Sequence, residues 1–204
     1  MSNYNNNEEI KTYKLITLGD SGVGKTAILR RFISGKFEQN TLSAIGFETS
    51  TKDIVLKGGT KIRLQLIDTA GQENYRALTT SYIRNADGAL FIFSHNNKES
   101  FYNIKKWLDS FRNNNHGDDF TSYLVGNKCD LEHVIDEAEI EKLKNENIFS
   151  GYCDTSAKTD IGITNLFYKI GEMLIKTKGK VVKRQKMVLA RKKKKKQKCL
   201  CQEV

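Results

Sequence analysis

Proline is absent from all 204 residues, an absence that by itself excludes no fold. Long apolar runs are absent as well. Ala89–Phe93 is among the longest, far too short to cross a bilayer. The opening residues, MSNYNNNEEI, are polar throughout, so no secretory signal is expected and a cytosolic chain is the default. Cysteine is sparse: Cys129, Cys153, Cys199 and Cys201 show neither the spacing of a disulfide framework nor that of a zinc site. Cys129 and Cys153 are expected to be packing residues. His95, His116 and His133 fall in different loops or element ends, and no His/Cys/Asp cluster has metal-ligand spacing. All three are expected to be surface or satisfied residues.

What is present suits one globular domain with a full core: 38% hydrophobic and 28% charged residues over this length. The net charge of +10 would suggest nucleic acid if it were spread over the chain. It is not. Residues 176–204 carry 13 Lys/Arg against the single acid Glu203, whereas residues 1–175 are slightly acidic. The asymmetry points to a tail that acts on an anionic surface.

Strand-like and helix-like segments alternate. Tyr13–Leu18 reads as a strand running into a glycine-rich turn, and a helix follows from about Lys25 to Ser34. Phe47–Leu56 and Lys61–Ile67 read as strands joined by a hairpin across Lys57-Gly58-Gly59-Thr60. Ala89–Ser94 and Tyr123–Asn127 read as buried strands. Between them Phe101, Ile104, Leu108 and Phe111 recur at helical spacing, as do Leu166, Phe167, Ile170 and Leu174 later. This order predicts an α/β fold, with a mostly parallel sheet covered on both faces and one antiparallel edge strand. The apolar stripes are core. Asn3, Asn5–Asn7 and Asn113–Asn115 read as solvated, flexible segments.

Gly19-Asp20-Ser21-Gly22-Val23-Gly24-Lys25-Thr26 fits G-x-x-x-x-G-K-[ST], after a strand and opening a helix. The glycines let the backbone wrap phosphates, with successive N–H groups and a helix N-terminus facing the anion. Asp20, Ser21, Gly22, Val23, Gly24, Lys25, Thr26 and Ala27 are the candidate phosphate contacts. Lys25 would reach the β- and γ-phosphates and Thr26 would bind Mg²⁺. Asn127-Lys128-Cys129-Asp130 follows another strand. Asp130 can accept hydrogen bonds from N1 and N2 of guanine, a donor pair that adenine lacks. Asn127 can brace the loops, the Lys128 stem can cover the base, and Ser156-Ala157-Lys158 supplies a further wall. Asp68-Thr69-Ala70-Gly71-Gln72-Glu73 lies at the end of the second hairpin strand. There Asp68 can hold Mg²⁺ through water, the Gly71 amide can touch a γ-phosphate, and Gln72 can orient the attacking water.

Taken in order, GDSGVGKT, DTAGQE, NKCD and TSAK resemble the Ras superfamily. Ile45-Gly46-Phe47, Leu64-Gln65-Leu66, AGQENY and Ser81–Ala86 resemble its Rab branch. The resemblance spans about residues 11–176. It implies the small G-domain of the P-loop NTPases: a six-stranded sheet, five helices and a slow GTP phosphohydrolase with Gln72 and Lys25 as catalytic residues. It further implies a GDP/GTP cycle served by Mg²⁺, an exchange factor, a GTPase-activating protein, effectors and prenyl-chaperone type proteins. Phe37 matches the aromatic that packs against the guanine edge. Two single positions and one short segment depart from the family pattern. Ala44 stands where the family has a threonine that ligates Mg²⁺, Ile67 replaces a tryptophan, and Ile45–Thr49 reads IGFET. Ala44 keeps open a second expectation, a Rab-like scaffold that binds GTP but hydrolyses it weakly.

Residues 177–204 form the predicted disordered tail, and residues 1–10 a flexible N-terminus. Arg191, Lys192–Lys196 and Lys198 would be drawn to anionic lipid. Cys199 and Cys201 resemble the prenylated endings of Rab chains, and Cys201 stands four residues from the end, as in a C-a-a-X box. Lipid plus a basic run is a sufficient anchor on the cytosolic face of a membrane. No nucleic-acid partner is expected.

Overall fold

Strand β1 (Lys11–Leu18) is the axis of the sheet. The computed structural model describes residues 10–38, 48–69, 81–115, 120–146 and 149–179. Ala44, Phe47, Gly71, Gln72, His116, Cys199, Cys201, the N-terminal asparagines and the basic run lie outside the described residues. After β1 come α1 (Lys25–Ser34), β2 (Glu48–Val55), β3 (Lys61–Asp68) and β4 (Gly88–Ser94). Then follow α2 (Lys98–Tyr102), α3 (Ile104–Asn114), β5 (Thr121–Asn127), α4 (Glu137–Asn145) and β6 (Gly151–Asp154). Residues 163–179 form a closing helix, α5.

The six strands lie in the order β2-β3-β1-β4-β5-β6. Every pairing is parallel except that of the edge strand β2 with β3, whose register runs from Glu48↔Asp68 to Val55↔Lys61. The expected hairpin is present, closed by Leu56 N–H to Thr60 O at 2.9 Å. The period-two alternation of a sheet covered on both faces separates two cores. Leu15, Leu64, Leu66, Leu90, Ile92 and Val125 meet α1 and α5 on one face. Ile16, Leu18, Ile67, Ala89, Phe91 and Phe93 meet α2, α3 and α4 on the other. Phe32 of α1 stacks on Phe167 of α5 with ring centroids 3.8 Å apart, joining the two helices of the first face.

The stripe Phe101–Phe111 is helical as its spacing predicts, with one interruption at Asn103 between α2 and α3. The four apolar residues still face one core, so periodicity alone could not expose the break. One sequence expectation needs correction: Asn115, expected in a solvated segment, is buried. It is 7% exposed, and its Nδ2 donates to Ala86 O at 3.2 Å. Helix α4, which hydrophobic spacing did not single out, has clear terminal chemistry. The Asp136 carboxylate accepts from Ala138 N–H at 2.9 Å, Glu137 and Glu139 occupy the first turn, and Lys142 and Lys144 the last.

Parallel strands have one consequence for function. The carboxyl ends of β1, β3, β5 and β6 lie along the same edge of the sheet, so the segments that leave them share one crevice.

Candidate functional site

Beyond Leu18 the backbone turns through Gly19–Gly24 into α1. Gly24 is the N-cap, with φ 98° and no side-chain cap, and the first turn of α1 holds no acidic residue. The amino-terminal N–H groups and the positive end of the helix dipole are thus not answered by a cap or an acid of the helix. A Cβ at Gly24 would come within 2.3 Å of Asn127 Nδ2, so this turn excludes a side chain on steric as well as conformational grounds. Ser21 and Gly22 are exposed at the loop tip, while Val23 is buried beneath them.

Lys25 is the unusual residue of the loop. It is 5% exposed, and its ammonium donates to Gly19 O at 2.9 Å and Asp20 O at 2.7 Å. Burial lowers its pKa to about 8, against the opposing pull of Asp68 and Asp20. A cation so placed is short of counter-charge, and a bound phosphate would provide it. The next residue, Thr26, donates its hydroxyl to Asp68 Oδ2 at 2.5 Å, and Thr17 Oγ1 donates to Asp68 Oδ1 at 3.3 Å. A hydroxyl and a buried carboxylate form an all-oxygen pair. That fits Mg²⁺, which takes one or two protein oxygens and fills its octahedron with water and phosphate. Among the described residues no cluster of three or more His, Cys, Asp or Glu could hold a metal by itself.

The second half of the site lies beyond β5. Asn127 is 1% exposed and spans the two loops: Nδ2 donates to Val23 O at 2.8 Å, and Oδ1 accepts from Thr155 Oγ1 at 3.2 Å. Lys128 adopts φ 61° and leads to Asp130, whose Oδ1 accepts from Ser156 Oγ at 2.6 Å. Burial lowers the Lys128 pKa, opposed by Asp130. Gly24, Ala27, Phe37, Asn127, Lys128, Asp130, Ala157 and Lys158, all expected from the sequence, line one cleft of about 270 Å³ together with Leu131. Ser156 is fully buried, and its hydroxyl orients Asp130.

Some supporting residues carried no motif. Arg31, one turn before the end of α1, donates Nε to Ala157 O at 2.7 Å and Nη2 to Lys158 O at 2.9 Å. It thereby ties the third loop of the site to the helix of the first. The basic residue in the last turn of α1 was visible; its target was not. His95 is buried, with Nε2 2.6 Å from Asp154 Oδ1 and its ring stacked on that of His133 at 4.0 Å. Its backbone N–H donates to Asn127 O at 2.9 Å, so this histidine braces the back of the base loop. Cys129 and Cys153 are partly buried free thiols, each with its pKa raised first by burial.

A glycine-rich turn with a buried lysine, an oxygen pair that could hold Mg²⁺ and a cleft lined by a carboxylate share one sheet edge, the arrangement a guanine nucleotide would need. Comparison with known proteins agrees. The model of the Ras family matches residues 14–176. Ras-related protein Rab-10 of Caenorhabditis elegans is 39% identical over 165 residues, covering 80% of this chain and 81% of the relative. Ras-related protein Rab-8A of Bos taurus is 38% identical over 162 residues, covering 78% and 76%. The chain belongs to the Ras family and is a Rab-type small GTPase, binding GTP and GDP with Mg²⁺ and hydrolysing GTP. It serves membrane traffic in association with the cytosolic face of membranes, with exchange-factor, GTPase-activating and effector-type partners. Among the described residues no helix is long and apolar enough to cross a membrane.

Proposed function

We propose that this chain is a membrane-anchored switch whose GTP-bound form recruits effectors and whose own residues 20–27, 37, 68, 71–72, 127, 128, 130 and 156–158 form the nucleotide site. The observation that carries the reading is the Asn127 bridge to Val23, which ties the loop after β5 to the glycine-rich loop after β1. Backbone N–H groups of residues 21–26 and the Lys25 ammonium hold the diphosphate. The Thr26 hydroxyl would ligate Mg²⁺ and Asp68 would hold it through water, and the bound ion would supply counter-charge for the phosphates. The Gly71 amide meets the γ-phosphate, Gln72 orients the attacking water, and Asp130 selects guanine. Phe37 and the Lys128 stem enclose the base. The first test is the nucleotide that copurifies with the protein: GDP or GTP supports the reading, and a folded sample that takes up neither overturns it.

Ala44 sets the rate. Its methyl cannot ligate Mg²⁺, so the GTP-bound arrangement of its loop has one differential contact fewer than a threonine would give. Ala44→Thr is expected to raise single-turnover GTP hydrolysis by roughly ten-fold, the worth of one hydrogen-bonding or ligand contact to a charged group. Equal rates for the two proteins would remove Ala44 from the account.

The tail is the anchor. Arg191 to Lys198 draw the chain to anionic lipid, and prenylation of Cys199, Cys201 or both holds it there. Intact-mass measurement of protein from a eukaryotic host should show one or two prenyl additions, lost in the Cys199→Ser/Cys201→Ser double variant. An unmodified mass would leave the tail without its anchor.

A further inference from the structure

The acidic residue of the phosphate loop is a puzzle that the nucleotide reading leaves open. Asp20 sits immediately after Gly19, beside the position assigned to a polyanion, where a free carboxylate would repel phosphate. Its side chain is held by two donors from one helix region. Trp107 Nε1 donates to Asp20 Oδ1 at 2.7 Å, and Asn103 Nδ2 donates to Asp20 Oδ2 at 2.8 Å. Its main-chain carbonyl meanwhile accepts from the Lys25 ammonium at 2.7 Å. One residue thus joins α3 to the cation of the site.

Both donors are spent on this loop. Asn103 stands between α2 and α3 with helical backbone, φ −73° and ψ −12°, and its side chain makes no cap bond to either helix, which leaves the whole amide for other partners. Its amide goes to Asp20, and its Oδ1 accepts from Lys106 Nζ at 2.8 Å, which fixes which end of the amide faces the carboxylate. Trp107 is the sole tryptophan of the chain. Its indole packs against the second core cluster and sends its single donor to the loop. Helical continuity aligns the pair: Trp107 N–H donates to Asn103 O at 3.1 Å, so residues 103 and 107 lie one turn apart on the same side.

We infer that Asn103 and Trp107 are positioning residues for nucleotide retention: they turn the Asp20 carboxylate away from the phosphates and hold its peptide where the carbonyl fixes Lys25. The inference rests on the nucleotide site proposed above. Without these donors the carboxylate rotates free, repels the diphosphate and loosens the carbonyl under Lys25. Asp20→Ala removes the repelling charge while keeping that carbonyl.

The test is the dissociation rate of a fluorescent GDP from Mg²⁺-loaded full-length protein. Trp107→Phe and Asn103→Ala are each expected to speed release by about ten-fold, the scale of one hydrogen bond to a charged acceptor. In an Asp20→Ala background the same substitutions should change the rate less than two-fold. The acceleration by Trp107→Phe should also shrink between low and high salt, because the repulsion it exposes is screened. A packing role for Trp107 would give the same acceleration with or without Asp20 and no salt dependence, and that result would overturn the inference. So would wild-type release rates in both single variants. Wild-type protein that binds no GDP strikes the nucleotide reading first, whereas normal GDP uptake with unmoved release rates strikes this inference alone.

Discussion

Lys25→Met is expected to weaken GDP binding by roughly 100- to 1,000-fold, the scale of truncating one partner of a desolvated, hydrogen-bonded charge pair. The side chain is buried, its ammonium rests on two main-chain carbonyls, and burial has already lowered its pKa to about 8. Methionine fills the same space without the charge, so the loss falls on the phosphates rather than on the packing of α1. Titration of nucleotide-stripped protein by calorimetry measures it. The pH dependence has a definite sign. Phosphate favours the protonated amine, so binding raises the Lys25 pKa, and affinity falls as pH rises above about 8. Folding runs the other way. Between 8 and the ordinary 10.5 the unfolded chain holds the proton that the folded chain has lost, so nucleotide-free stability climbs over that window. Lys25→Met should flatten both trends. A methionine variant that binds GDP within three-fold of wild type would show that the amides alone grip the diphosphate.

The contrast between Lys25 and its supports explains what could be read from the chain. The phosphate loop, Asn127–Asp130 and Ser156–Lys158 were legible because each is a short segment whose residue types answer one ligand group at fixed spacing. The topology was legible because the central strands β4 and β5 are buried along their whole length and alternate with helical stripes. Long-range polar contacts have no such signal. Arg31 finds Ala157, Trp107 finds Asp20, and Asn115 finds Ala86 only after the sheet has ordered its strands. A side chain donating across so many residues looks in sequence like any solvated arginine, tryptophan or asparagine. The division at Asn103 was hidden for a related reason: both helices face the same core, so apolar periodicity runs through the break. Gly71, Gln72 and the Ala44 segment rest on motif chemistry alone, since they lie outside the described residues.

Asp130→Ala tests the other end of the nucleotide, and its effect should be the largest of any single substitution here. The carboxylate lines the base cleft, with Ser156 Oγ donating to Oδ1 at 2.6 Å to hold its orientation. A charged acceptor facing N1 and N2 of guanine makes two charge-assisted hydrogen bonds away from bulk water. Sites built to pair a polar ligand group in this way lose about 10⁴-fold or more when the pairing fails, because the remaining donors are desolvated without partners. GDP affinity should therefore fall by about 10⁴-fold in the alanine variant, and the preference for GDP over ADP should shrink towards unity. The ratio matters more than the affinity alone. Damage to the fold would weaken both nucleotides together, since the phosphate cradle serves both equally. Loss of base selection with the diphosphate grip intact changes only GDP. Competition binding with GDP and ADP on the same protein separates the two, and an Asp130→Ala protein that still prefers GDP would move guanine recognition to another wall of the cleft.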